Sequence, residues 1–174
     1  MSGRLPVNLI LGAVLVALVA GVALLSLVWT PHDHAQLAVS NRFQPASAEH
    51  WLGTDQLGRD LASQLMMGAR NSMAVALIAV LIGGTVGVAL GLTASAAGGW
   101  IEDLVMRTAD VGFAFPALLF AIMLTAVFGP GLGVAVAAIA FINIPVFARV
   151  ARASANQIWT RDYVRAAQAA GLGR

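Results

Sequence analysis

Few side chains in this sequence are of the types that do chemistry. His32, Asp33, His34 and His50 are the kinds of residue that hold transition metals. No helical or loop spacing brings them together, so the histidines are expected to be solvated and no metal site is expected. Cysteine is absent, which removes disulfide frameworks, thiolate metal sites and cysteine nucleophiles. All 10 basic residues are arginine. Without lysine there is neither a Walker A phosphate loop nor Schiff-base chemistry. The apolar runs carry only scattered hydroxyls and Asn143, which do not supply the nucleophile, carboxylate pair or metal cluster of a membrane enzyme. No catalytic residue is expected.

Recognition is the other chemistry available, and it concentrates at residues 161–174. On a helix that includes Asp162, the residues Tyr163, Ala166, Ala167 and Ala170 follow the i, i+3, i+4, i+7 pattern and make a small, smooth face. Arg161, Arg165 and Gln168 make a polar one, and Gly171 is placed to end the helix in a left-handed conformation. Small side chains let a helix sit deep in another protein's groove, with arginines at the rim meeting acidic or carbonyl groups. A solvated helix end is the other reading of the same spacing.

The elements that would position these residues follow from composition. Of 174 residues, 59% are hydrophobic and 10% charged, which describes an integral membrane protein. The expected fold is all-α, a polytopic transmembrane helical bundle. A pI near 10.4 reflects a net charge of only +2 and gives no support for nucleic-acid binding. Residues 1–29 read as a short tail and a first span, long enough to cross a hydrocarbon core of roughly 30 Å. That run is too long for the apolar region of a signal peptide and is followed by no clear cleavage site, so it reads as a retained anchor.

Residues 30–72 form the extended polar stretch, and its 54–65 part reads as a short amphipathic helix. Thr54 or Asp55 is its expected N-cap, with Leu57, Leu61 and Leu65 on one face. Residues 73–160 form the membrane core, with spans expected at 73–97, 111–128 and 132–148. Gly83, Gly87 and Gly91 recur every four residues in the first of these and mark a close-packing face. Arg107 and Asp110 are spaced to pair on one helix. Pro116 falls near the start of the next span, where a kink costs least. Asn143 and Pro145 put a polar group and a helix breaker together at membrane depth. They are candidates for a pathway lining, with interhelical hydrogen bonding the commoner use of such a polar group.

Arginine distribution sets an expected orientation. Arg4, Arg107, Arg149, Arg152, Arg161, Arg165 and Arg174 fall on one side of a four-span topology, and Arg42, Arg59 and Arg70 on the other. The N-terminus and the C-terminal segment are therefore expected in the cytoplasm.

The segment Arg165-Ala166-Ala167, three residues, then Gly171 resembles the cytoplasmic loop of permease subunits of binding-protein-dependent ATP-binding-cassette importers, whose pattern is Glu-Ala-Ala, three residues, Gly. More specific is Gly53, Thr54, Asp55, Gly58, Arg59 and Asp60, followed by Gly68 and Arg70. This is similar to the segment marking the second permease subunit of dipeptide, oligopeptide and nickel importers, and Trp100, Met106-Arg107, Asp110 and Phe115-Pro116 keep that subfamily's order. The family's glutamate is Arg165 here.

The resemblance implies a bacterial inner-membrane permease for peptides, or for nickel or another small solute, with no cofactor of its own. Its implied partners are a second permease, two cytoplasmic ATPase subunits that bind ATP, an extracytoplasmic solute-binding protein and membrane lipid. It also implies docking of residues 162–171 on an ATPase, and a 53–70 segment on the face toward the binding protein. Family members usually carry six spans, so the chain is expected to be the N-terminal two-thirds of a permease, a fragment or a truncated product. A four-span anchor without transport, or an inactive remnant, is the competing class. The two motifs, each in its proper place, count against the anchor.

Overall fold

Long apolar runs become helices here because a backbone in lipid must satisfy its own hydrogen bonds. The computed structural model describes residues 7–33 and 37–171. Arg4, His34 and Arg174, used in the readings above, lie outside them. The helices are α1 (Val7–Leu25), α2 (Leu61–Ala97), α3 (Gly99–Ala114), α4 (Ala117–Phe128), α5 (Leu132–Trp159) and α6 (Asp162–Ala169). A 3-10 turn occupies Val39–Asn41. The chain divides into two compact units, Met1–Ala74 and Val75–Arg174, with the boundary inside α2.

In the first unit, α1 is apolar on every side and exposed along almost its whole length, the signature of a helix whose solvent is lipid. The chain leaves α1 through a turn tied by Ser26 Oγ donating to the Ala23 carbonyl. Trp29 then reaches Trp51, with ring centroids 5.9 Å apart. Residues 42–60 are folded back on themselves rather than helical. Thr54 and Asp60 face each other as an isolated antiparallel pair, and the Thr54 N–H donates to the Gln44 carbonyl.

The expected separate amphipathic helix and second span are one element. α2 runs 37 residues without a break, a rise of about 55 Å, so its polar first turns extend beyond a hydrocarbon core of about 30 Å. Leu57 lies in the preceding turn, not on a helix face.

In the second unit, α2 meets α5 along a stripe of small residues. Ala79, Gly83, Gly87, Gly91 and Ser95 are all buried and spaced by four. A Cβ at Gly83 would stand 2.8 Å from the Ala140 carbonyl oxygen, and one at Gly87 would stand 2.5 Å from that of Ile144. Only hydrogen at these positions allows the two backbones to approach so closely.

The span expected at 111–128 is instead a broken pair. α3 and α4 are bent by 80° at Phe115-Pro116. Phe115 is extended, as a residue before proline prefers to be. The fourth apolar helix continues past Ala148 to Trp159, and Pro145 lies buried within it. Gly112 of α3 allows approach to that ring, a Cβ there falling 3.5 Å from Pro145 Cγ. α4 stacks Phe120 on Phe141 of α5 at 4.3 Å. Among the described residues, three helices are long and apolar enough to cross a membrane, or four if the bent pair counts as one span.

Candidate functional site

The 53–64 segment is built almost entirely from side chains that hold its own backbone. Gly53 and Gly58 take left-handed φ values of 78° and 75°, and a Cβ on either would strike backbone, of Gln44 and of Ala38 respectively. Between them Asp55 acts as the hub of a tight turn. Its Oδ1 accepts the N–H groups of Leu57 at 2.8 Å and Arg59 at 2.9 Å. Its Oδ2 accepts Arg59 Nε at 2.8 Å and Gln64 Nε2 at 3.1 Å. Burial pushes the Asp55 carboxyl up, but these donors outweigh it and hold it well below the usual carboxylate range. Thr54 is a clamp, its hydroxyl donating to the Asn41 carbonyl and accepting the Gln44 N–H at 2.9 Å.

Neither Thr54 nor Asp55 caps α2. Asp60 does: its Oδ2 accepts the Ser63 N–H at 2.8 Å and the Ser63 hydroxyl at 2.7 Å. An aspartate three residues before the donating N–H is the usual N-cap geometry, and Asp60-Leu-Ala-Ser63 was a readable signal for it. The other oxygen, Oδ1, lies 3.0 Å from His50 Nδ1 and 3.8 Å from His32 Nδ1. The histidines are thus not simply solvated. His50 is 6% exposed and Asp60 3%, and the His32 and His50 rings lie 4.7 Å apart. Burial raises the Asp60 carboxyl, yet the Ser63 donors and the hydrogen bond with His50 bring it below its ordinary value. His34 lies outside the described residues. Gly68 and Arg70, the last members of the motif, sit on exposed turns of α2 away from this network.

In the second unit, charged groups of α3 and α5 are paired across the two helices. Arg152 meets Glu102 and Arg149 meets Asp110. The expected Arg107–Asp110 pair does not form. Asp110 takes the Arg149 guanidinium, itself held 4.4 Å over the Phe113 ring, and Arg107 is exposed. A polar cluster that sequence reasoning missed closes the small-residue stripe: Ser95 donates to Asn156 Oδ1 at 2.6 Å and accepts Trp159 Nε1 at 2.8 Å. Its signal was the four-residue interval continued from Gly91.

Asn143 and Pro145 face different neighbours, Asn143 against Gly83 of α2 and Pro145 against Gly112 of α3. Pro145 also borders an apolar groove of about 390 Å³ with Leu90, Leu104, Phe115 and Ile144.

α6 begins after an extended Arg161 and carries Asp162 in its first turn, where the helix dipole favours an acid. It ends as expected at Gly171, whose φ is 89° and whose N–H donates to the Gln168 carbonyl. Val164 and Ala167 are half-buried, whereas Tyr163, Arg165, Ala166 and Ala170 are exposed, Tyr163 by 67%. The small face read from the sequence is therefore mostly uncovered.

Apolar helices joined through glycine-lined contacts, with a short polar helix after the last, define a multi-pass α-helical membrane protein. The chain belongs to the family of binding-protein-dependent transport system inner membrane components, which matches residues 83–174. It is 37% identical over 163 residues to the dipeptide transport system permease protein DppC of Alkalihalophilus pseudofirmus, covering 94% of this chain and 54% of that protein. It is 35% identical to the probable D,D-dipeptide transport system permease protein DdpC of Escherichia coli K12, covering 91% and 54%. The nickel transport system permease protein NikC of the same organism is 34% identical, with 99% and 62% covered. The chain thus spans about half the length of the curated relatives it matches.

Proposed function

We propose that this chain forms part of the permease of an ATP-driven importer for di- or oligopeptides in the bacterial inner membrane. In this reading it encloses half of a translocation pathway together with a second, similar permease. Two cytoplasmic ATPase subunits bind and hydrolyse ATP, and an extracytoplasmic binding protein delivers the solute. The observation that carries the reading is α6: an eight-residue helix with an exposed small face, following the last long apolar helix inside the family match. Tyr163, Ala166, Ala167 and Ala170 seat in a groove of the ATPase, and Arg165 lies at its rim where the family pattern has glutamate. Closure of the ATPase pair then moves α6 and the helices joined to it as a rigid body.

Gly83, Gly87 and Gly91 hold α2 on α5 during that motion, and Asn143 and Pro145 belong to the pathway wall. In this reading the end bearing the arginines of residues 149–165 is cytoplasmic, as the positive-inside rule favours, and the 53–70 segment faces the binding protein. Nickel or another small solute is the second reading, supported by the relative named for nickel transport.

The test is detergent co-purification of this chain with a co-expressed second permease and ATPases. Wild type is expected to recover the ATPases, and Ala166→Glu or Ala170→Glu, both at exposed positions, to lose them. Equal recovery by wild type and variants would sink the docking reading.

A further inference from the structure

We propose that His32, His50 and Asp60 form a binding site for one divalent transition-metal ion of the zinc, nickel or copper class. Their three donor atoms lie within 4.8 Å of one another. His50 Nδ1 and His32 Nδ1 stand 3.0 and 3.8 Å from the same Asp60 oxygen. Donors held at about 2.0–2.2 Å from a tetrahedral ion are spaced by about 3.3 Å, so the observed separations bracket what an ion requires. Small side-chain adjustments bring the donors to it.

A capping role accounts for His50, which hydrogen-bonds Asp60, but not for His32. Its Nδ1 is buried and makes no hydrogen bond, an arrangement that is costly unless something else fills its lone pair. The surroundings are those of a supported ligand set. Ser63, fully buried, fixes Asp60 Oδ2 with its N–H and hydroxyl and accepts the His32 backbone N–H on the same oxygen at 3.0 Å. One side chain therefore orients the carboxylate and anchors the residue bearing the third donor, as outer-shell groups do in metal sites. Asp60 Oδ1 is left to the histidines.

The donor set selects the ion. Two imidazole nitrogens and a carboxylate suit zinc, nickel or copper(II). Calcium and magnesium demand oxygen, and copper(I) favours sulfur. Binding places His50 in its Nε2–H tautomer, with the Nδ1 lone pair on the ion in place of the hydrogen bond to Asp60. The His32 side chain is 35% exposed, which leaves an entry path and room for a water as fourth ligand. This inference stands independently of the transported solute.

The experiment uses the whole chain in detergent, without a histidine tag. Cobalt(II) absorbance serves as the probe, with zinc as competitor. Wild type is expected to bind one ion per chain and to melt at higher temperature with zinc. His32→Ala, which leaves the His50–Asp60 hydrogen bond and the cap in place, is expected to weaken binding at least about a hundredfold and to lose the thermal shift. Circular dichroism checks that it stays folded. Failure of wild type to bind stoichiometrically, or equal binding by His32→Ala, would each overturn the proposal.

Discussion

Between residues 41 and 64 the backbone is held by carboxylates and hydroxyls, with Asp55, Thr54, Asp60 and Ser63 each accepting or donating to two or more partners. Between α2 and α5 the backbones are held by the absence of side chains, at Gly83, Gly87 and Gly91. The contrast follows from solvent. A polar turn without regular secondary structure must find partners for its N–H groups, and side chains supply them. In lipid the helices have already satisfied their backbones, no hydrophobic force drives them together, and close van der Waals contact is what remains. Each region is accordingly vulnerable to a different substitution.

The largest effect is expected at Asp60. Its side chain is 1% exposed and serves Ser63 and His50 together, so Asp60→Ala strands several buried donors and removes a helix cap. A loss of about 3 kcal/mol is expected, read as a lowered melting temperature in chelator-treated detergent solution. Asp60→Asn, which keeps a capping oxygen, should lose less. The pH dependence follows from the depressed folded pKa. The carboxylate's contribution is present above its unfolded pKa of about 3.9 and is lost as pH falls through the lower folded value. Amide exchange at Ser63, corrected for intrinsic rates, should show constant protection from pH 5 to 8 and weakening only below about pH 4. Weakening near neutrality would remove Asp60 as the group responsible.

Next in size is the glycine stripe. Gly87→Ala places a methyl 2.5 Å from the Ile144 carbonyl and 2.7 Å from Phe147 Cβ. Backbone must shift, at an expected cost of about 1–3 kcal/mol. Gly12→Ala in α1 meets nothing within 4 Å and is expected to be neutral, or stabilising by less than about 1 kcal/mol through helix propensity. Melting both variants beside wild type distinguishes a packing stripe from glycines that are merely tolerated. Equal destabilisation by both would contradict the close approach of α2 and α5.

These two regions also differ in how far they could be read from residues alone. The glycine interval announces itself because a period of four survives in any helix, and its extension to Ala79 and Ser95 needed only a wider window. The polar loop did not yield in the same way. Gly53 to Asp60 looked like the start of a helix because Thr54 and Asp55 are good capping types. Their oxygens instead bind segments at residues 41–44 and 57–64, and only the folded loop brings those together. His32 and His50 lie far apart in the sequence and no periodicity relates them, so their convergence on Asp60 was not visible. At Pro116 the sequence indicates a break but not its 80° size. Arg107 and Asp110 have the right spacing to pair, yet spacing within one helix cannot report the arginine arriving from another.

The smallest expected effects concern the ion pairs between α3 and α5, and they test whether charge contributes to the helix contacts of the second unit at all. Arg152–Glu102 is the better sheltered, with side chains 37% and 21% exposed, against 51% and 63% for Arg149–Asp110. Screening by water and ions weakens an exposed pair more than a sheltered one. Arg152→Ala is therefore expected to cost about 1 kcal/mol and Arg149→Ala less than about 0.5 kcal/mol from charge alone. Loss of the guanidinium from the Phe113 ring adds to the second. Raising the salt concentration should narrow the difference between wild type and Arg149→Ala more than that between wild type and Arg152→Ala. If the order of the two costs is reversed, the ring contact of Arg149 outweighs its ion pair, and Arg149→Lys, which keeps the charge but loses the planar stacking group, should then be as damaging as Arg149→Ala.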